Sequence, residues 1–267
     1  MLSLKSITQS PILSAISADF EPGRMVGIIG PNGAGKSTLL RTIAGLLMPT
    51  AGEVWVDGQL ITRMAPKKRA RYVAYLPQSL AQDVPYSVRE FVEMGRFSHR
   101  SAWSPTDAHD ASAITLALRQ MGLESLSDAP LSQVSGGEQQ RTGIARCLAQ
   151  ESPVLLLDEP ISNLDVFYQL DIMSKLASLA RKGHLILVAI HHLEFALRFC
   201  NELLVMCQGE VYAQGSVKST FTPQLIRDVF CVDATMYSDP IQHHPRLSMT
   251  LCPEKQEEIL PATVTVR

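Results

Sequence analysis

The stretch Gly30-Pro31-Asn32-Gly33-Ala34-Gly35-Lys36-Ser37-Thr38 constrains this chain more than any other. It fits the spacing G-x-x-x-x-G-K-S/T, and its flanks supply the strand-then-helix context that the spacing needs. Ahead of it, Met25-Val26-Gly27-Ile28-Ile29 is a short apolar run suited to a strand buried on both faces. Behind it, Leu39, Leu40, Ile43, Leu46 and Leu47 recur at helical spacing. A glycine loop between such elements wraps a polyphosphate with its backbone N–H groups pointing inward, and the helix N-terminus adds partial positive charge. Lys36 is then expected to reach the β- and γ-phosphates, and the Ser37 hydroxyl to ligate Mg²⁺. The pattern predicts a nucleoside triphosphate site.

The remaining composition narrows the partners. At 267 residues, 46% hydrophobic and 19% charged, the chain can bury a full core. A net charge of −2 gives no electrostatic basis for binding nucleic acid or anionic lipid. No run approaches the roughly 20 apolar residues that span a bilayer, and no signal-peptide pattern opens the sequence, so any link to a membrane is expected through a protein partner. Cys147, Cys200, Cys207, Cys231 and Cys252 show no C-x-x-C spacing and read as reduced structural thiols.

Residues 1–29 alternate as edge strands do, with a turn at Glu21-Pro22-Gly23-Arg24. A turn is expected at Pro49–Gly52, then a strand over Glu53–Gly58 and a solvated basic face at Lys67–Arg71. Tyr72–Leu76 reads as a buried strand that runs into Pro77-Gln78. From Ser87 to Gln150 the pattern turns helical. Val88, Phe91, Val92 and Met94 predict a short helix, Gly95–Pro105 a loop, and Ala113, Leu116, Ala117 and Met121 the buried face of a helix over 107–122. Strands return at Val154–Leu157 and His184–Ile190. Strands alternating with helices predict an α/β fold with a mainly parallel sheet, an antiparallel β region at the N-terminus and an inserted helical block. Pro223–Phe230 reads as a helix, and His243-His244 as a surface turn, since two adjacent histidines make a poor metal site.

Asp158 and Glu159 follow four apolar residues, where a buried parallel strand emerges at its C-terminal end, the end at which open α/β sheets bind ligands. Asp158 is placed to hold Mg²⁺. Glu159, on the other side of the pleat, is placed to orient and deprotonate an attacking water. Ser135-Gly136-Gly137-Glu138 opens another helical run. Its S-x-x-E spacing is a capping box, and the same hydroxyl and glycine amides make a second anion site.

Taken in order, Gly30–Thr38, Gln78, Ser135-Gly136-Gly137, Asp158-Glu159 and His191 resemble the motifs of ABC transporter ATP-binding proteins over nearly the whole chain. The resemblance implies a P-loop NTPase core of the ABC ATPase type over 1–86 and 151–234, a helical subdomain over 87–150 and a C-terminal tail over 235–267. It implies two copies paired head to tail, with ATP between the Gly30–Thr38 loop of one and Ser135–Glu138 of the other. On the same basis Gln78 is expected to sense Mg²⁺ and water and to communicate with a permease. Asp165, in Ser162-Asn163-Leu164-Asp165, is expected to cross to the second copy, and His191 to contact the γ-phosphate. The catalytic set is thus Glu159, His191 and Gln78, the metal set Ser37, Gln78 and Asp158. Two departures from the family stand out: Glu138 replaces a glutamine, and no N-terminal aromatic precedes Phe20 to stack on adenine.

Tyr86–Phe97, with His99, and Val229–Ala234 with Asp239-Pro240 are similar to stretches of the iron–siderophore, haem and cobalamin importers. An ATPase subunit at the cytoplasmic face of a bacterial inner membrane is therefore expected, working with a permease dimer and, indirectly, a periplasmic or surface substrate-binding protein. Iron–siderophore chelates are the expected cargo, haem or cobalamin the alternatives, and molybdate stands behind them. A soluble ABC factor outside transport is the reading from a different class.

Overall fold

The computed structural model describes residues 1–80, 85–100, 107–162, 164–238 and 245–252. The chain opens with β1 (Leu2–Gln9), β2 (Leu13–Phe20) and β3 (Met25–Ile29), and the glycine loop then leads into α1 (Lys36–Ala44). β4 (Ala51–Val56), β5 (Gln59–Leu60), α2 (Pro66–Arg69) and β6 (Val73–Leu76) follow. A helical block holds α3 (Val88–Glu93), α4 (Ala108–Met121) and α5 (Gly136–Ala149). The chain then returns through β7 (Val154–Asp158), α6 (Val166–Arg181), β8 (Leu185–Ala189), α7 (Leu193–Phe199), β9 (Glu202–Cys207) and β10 (Glu210–Ser216). It continues with α8 (Val217–Thr220), α9 (Pro223–Phe230), β11 (Val232–Ser238) and β12 (Pro245–Leu251).

Among the described residues the strands form three sheets. The largest, in the order β10-β9-β3-β8-β7-β6, is parallel from β9 to β6 and carries β10 antiparallel on one edge. β3, β7 and β8 are buried at every residue, which is why they read as unbroken apolar runs rather than alternating ones. Their side chains divide between two cores. Leu156 packs with Leu39 and Leu40 of α1 and with the antiparallel sheet β2-β1-β4-β5, while Leu155 and Leu157 pack with Ile144 of α5 and Ile172 and Leu176 of α6. Each such side chain contributes about 1.5–3 kcal/mol on burial. The expected α/β architecture is the one observed.

Several local expectations are corrected. β1 is not an edge strand: it pairs with β2 on one side and β4 on the other. Ala51 and Gly52 already belong to β4, so the turn after α1 is shorter than expected. In α4 the buried apolar positions are Ala113, Ile114, Ala117, Leu118 and Met121, and Leu116 is 53% exposed, because the helix turns Ile114 rather than Leu116 into the core. The Lys67–Arg71 run is not wholly solvated: Arg69 is buried and its Nη2 donates to the Gly45 carbonyl at 2.8 Å.

The described part of the expected loop Gly95–Pro105 is instead a 3-10 turn over Met94–Ser98, and Arg96 within it is only 1% exposed. Its guanidinium donates to Asp110 Oδ1 at 2.7 Å, Glu151 Oε2 at 2.6 Å and the Ala149 carbonyl at 2.7 Å, tying the start of α4 to the end of α5. Burial pushes the Asp110 carboxyl up, but hydrogen bonds from Arg100 and Arg96 outweigh it and hold the group below its usual value. At the C-terminus, β11 and β12 form a hairpin that spans the expected boundary at 234/235 and packs Leu247 into the core beside Ile226 and Val229. His243-His244 lies outside the described residues.

Candidate nucleotide-binding site

The glycine loop connects the end of β3 to α1 and lines a cavity of about 300 Å³ with Ile12, Glu159 and His191. Gly35 caps α1 at φ 97°, a left-handed conformation that favours glycine, and a Cβ there would stand 2.6 Å from Leu13 Cδ2. Asn32 to Thr38 all face this cavity, while the Gly30 and Pro31 carbonyls accept hydrogen bonds from Lys36 Nζ at 2.8 and 3.0 Å. Burial lowers the Lys36 ammonium from its ordinary value, and the Glu159 and Asp158 charges oppose that shift.

The C-terminal end of β7 delivers both carboxylates to the site. Asp158 is 1% exposed, and its Oδ1 accepts from the Ser37 hydroxyl at 2.8 Å. Glu159 leaves the strand at φ 51°, a conformation rare for a residue with a side chain, and its carbonyl accepts from Ser162 Oγ at 3.0 Å. Its carboxylate is held at both oxygens: Gln78 Nε2 donates to Oε2 at 2.8 Å, and His191 Nε2 lies in hydrogen-bond contact with Oε1. Residues from β6, β7 and β8 thus meet beside the glycine loop, as adjacent strand ends in a parallel sheet allow.

Ser135, Gly136, Gly137 and Glu138 do not join them: they do not line the cavity. Ser135 caps α5 and is exposed. Its hydroxyl accepts from the Glu138 N–H at 3.4 Å, and Glu138 Oε2 accepts from the Ser135 N–H and hydroxyl, each at 2.8 Å. Those two hydrogen bonds hold the Glu138 carboxyl below its usual value. Asp165 caps α6 without a side-chain capping bond and is exposed, as are Val166 at 68% and Phe167 at 72%. Asn163 lies outside the described residues.

Two residues at the site escaped the sequence reading. Ile12, 46% exposed, faces the cavity from the β1–β2 turn, and the Gly209 carbonyl accepts from the Ser14 N–H beside it at 3.0 Å. Tyr75 reaches Asp158 from β6, its hydroxyl donating to Oδ2 at 3.1 Å. The only sequence signal for Ile12 was the missing aromatic; for Tyr75, it was its place near the end of a strand leading to Gln78.

A strand–glycine loop–helix, an acidic pair at the end of β7 two strands along the sheet, and a capped glycine helix turned elsewhere define a P-loop nucleotide-binding cassette. Residues 13–162 match the model of the ABC transporter family, and the chain belongs to that family as one of its ATP-binding proteins. Its relatives place it further. It is 40% identical to the hemin import ATP-binding protein HmuV of Bordetella avium, over 90% of this chain and 92% of that one. It is 36% identical to the ferric enterobactin transport ATP-binding protein FepC of Escherichia coli, over 86% and 85%. It is also 39% identical to the cobalamin import ATP-binding protein BtuD of Halobacterium salinarum, matching 86% of this chain but spanning only 57% of that longer relative.

Among solved structures, a chain from an inward-facing metal-chelate type ABC transporter shares the fold, with a TM-score of 0.82 at 24% identity over 96% of this chain and 98% of that one. The cassette MJ0796, solved as a dimer with ADP and Pi, matches with a TM-score of 0.69 at 29% identity over 81% and 99%. Among the described residues, no helix is long and apolar enough to cross a membrane.

Proposed function

We propose that the chain is the ATP-hydrolysing subunit of a bacterial importer for iron–siderophore-type chelates, working as a head-to-tail pair on a permease dimer at the cytoplasmic face of the inner membrane. The observation that carries the hydrolytic part is the Glu159 carboxylate, held by Gln78 and His191 on the wall of the cavity that Lys36 and Ser37 also line. The donor set fits the groups that the reading requires. Ser37 Oγ and Asp158 are hard oxygen ligands within 2.8 Å of each other, and with Gln78 they would hold Mg²⁺, which supplies charge neutralisation at the phosphates. The glycine loop at the start of α1 and the Lys36 ammonium, both lining the cavity, suit a triphosphate.

Glu159 then acts as the base toward an attacking water, with its two oxygens fixed in place by Gln78 and His191. Ser135–Glu138 and Asp165 act from the second copy. The exposure of Ser135, Gly136 and Asp165 outside the cavity supports this, as do the exposed Val166 and Phe167 beside Asp165 and the dimeric form of MJ0796. Domain roles follow: 1–86 and 151–234 as the ATPase core, 87–150 as the helical subdomain facing the permease, and residues beyond 234 as an appended segment. Selection of cargo rests with the permease and an external binding protein.

Haem is the second reading, favoured by the higher identity and coverage of the hemin import relative. The test is uptake of labelled ferric siderophore, haem and cobalamin in source cells whose only copy carries Glu159→Gln. Selective loss of siderophore uptake supports the proposal, and selective loss of haem uptake moves the cargo to the second reading. Persistence of all three overturns the chelate assignment.

A further inference from the structure

Asp158 is almost wholly buried, and its two oxygens are served by different parts of the fold. Oδ1 accepts from Ser37 on α1, and Oδ2 accepts from the Tyr75 hydroxyl at 3.1 Å. The phenol oxygen in turn accepts from Arg41 Nε at 3.4 Å. This convergence follows from register. Tyr75 of β6 stands opposite Leu156 of β7 in the parallel ladder, so it shares a face with Leu156 and with Asp158 two residues on. Ser37 and Arg41 lie one turn apart on α1, which covers that same face.

A carboxylate fixed at one oxygen still pivots, because the final torsion of an aspartate side chain is broad. A second donor on the other oxygen sets the plane of the group, and partners of this kind orient metal-ligating carboxylates in general. We propose that Tyr75 is a positioning residue for the Mg²⁺ site: its hydroxyl locks Asp158 so that Oδ1 stays beside Ser37 as the metal-facing oxygen. The inference rests on the assignment of Ser37 and Asp158 as metal ligands made above. Arg41 supports the arrangement by orienting the phenol, so that its proton points to Asp158.

The experiment uses the full chain and Tyr75→Phe, which keeps the ring and removes only the hydroxyl. Mn²⁺ is titrated into protein loaded with a non-hydrolysable ATP analogue, and free ion is counted by electron paramagnetic resonance. Binding of the same analogue in EDTA is measured in parallel. The expected result is Mn²⁺ retention weakened about tenfold, with analogue binding in EDTA within about twofold of the parent. Unchanged Mn²⁺ retention overturns the proposal, and so does an equal loss of binding in EDTA, which marks a merely structural role. Asp158→Asn separates the two levels. If it too retains Mn²⁺ like the parent, the metal-site assignment itself fails; if it loses the ion while Tyr75→Phe does not, only the role of Tyr75 falls.

Discussion

The glycine-loop side of the molecule and the Ser135 side are built from similar parts and left in opposite conditions. Both place a glycine-rich turn at a helix N-terminus, where free amides favour an anion. Around Gly30–Thr38, however, strand ends from three places in the sequence bring together two hydrogen-bonded groups, Asp158 with Ser37 and Glu159 with Gln78 and His191. Around Ser135, the Ser135 and Glu138 side chains bond each other within the first turn of α5, and Ser135 and Gly136 remain exposed. The first region gathers charged side chains around a cavity, whereas Ser135–Glu138 lie outside it. On the function proposed above, a chain with one half of each kind works as a pair in which each copy completes the other.

The largest effects are expected where that division is broken outright. Glu159→Gln removes the base proposed above but keeps the size of the side chain, so phosphate release should fall about 10³-fold while nucleotide binding persists. A rate near that of the parent would place the base elsewhere. Ser135→Arg sets a bulky cation at the exposed turn. Turnover should be lost, yet nucleotide binding by the dilute monomer should stay within about twofold, since Ser135 lies outside the cavity. Reduced monomer binding would contradict completion from the second copy. Lys36→Ala acts on the other side and should weaken nucleotide binding itself by about 10- to 100-fold, the worth of a charge-assisted hydrogen bond. Equilibrium titration of the monomer distinguishes these two variants directly.

A smaller effect concerns the Ser135 turn alone. Hydrogen bonds from Ser135 hold the Glu138 carboxyl below its usual value. The stabilisation is therefore present above the ordinary carboxylate pKa of glutamate, and it is lost as pH falls through the lower value in the folded chain. Ser135→Ala should cost about 1 kcal/mol, the usual worth of an N-cap. The same variant should flatten the acid limb of a pH-dependent thermal melt. A destabilisation that is the same at all acidic pH values would mean that the capping box is not the coupled element.

What the sequence made legible follows the same division. Gly30–Thr38, Asp158-Glu159 and Ser135–Glu138 are local patterns: each sits within one loop and its flanking element, so spacing alone exposes them. The buried strands β3, β7 and β8 were readable because a strand covered on both faces must be apolar throughout. Contacts made across the fold were not readable. Arg96 looked like part of a polar loop because its partners Asp110 and Glu151 are distant in sequence, and the Tyr75–Asp158 bond depends on the register of two neighbouring strands. The pairing of β11 with β12 was hidden because their composition carries little periodicity, although its register from Val232–Leu251 to Ser238–Pro245 is unbroken over the two strands.

Within the glycine-loop side the contrast recurs at smaller scale, between the phosphate end and the base end of the cavity. On the proposed function the phosphate end is the one lined by Lys36, Ser37 and Glu159, and the β1–β2 turn offers the aliphatic side chain of Ile12 at the other. An isoleucine contributes contact area but neither a π-face for stacking nor a hydrogen bond that tells adenine from guanine. The phosphate contacts are the same for both triphosphates. ATP and GTP should therefore bind the monomer within about tenfold of each other. Ile12→Tyr should tighten ATP by about fivefold, the lower range of a base-stacking contribution, without changing the hydrolysis rate at saturation. Competition between the two nucleotides against one fluorescent analogue measures both quantities. If the parent prefers ATP by more than about a hundredfold, the base is read by groups other than Ile12. The second copy then becomes the place to look for them, and the base end joins the Ser135 side as a feature that one chain leaves incomplete.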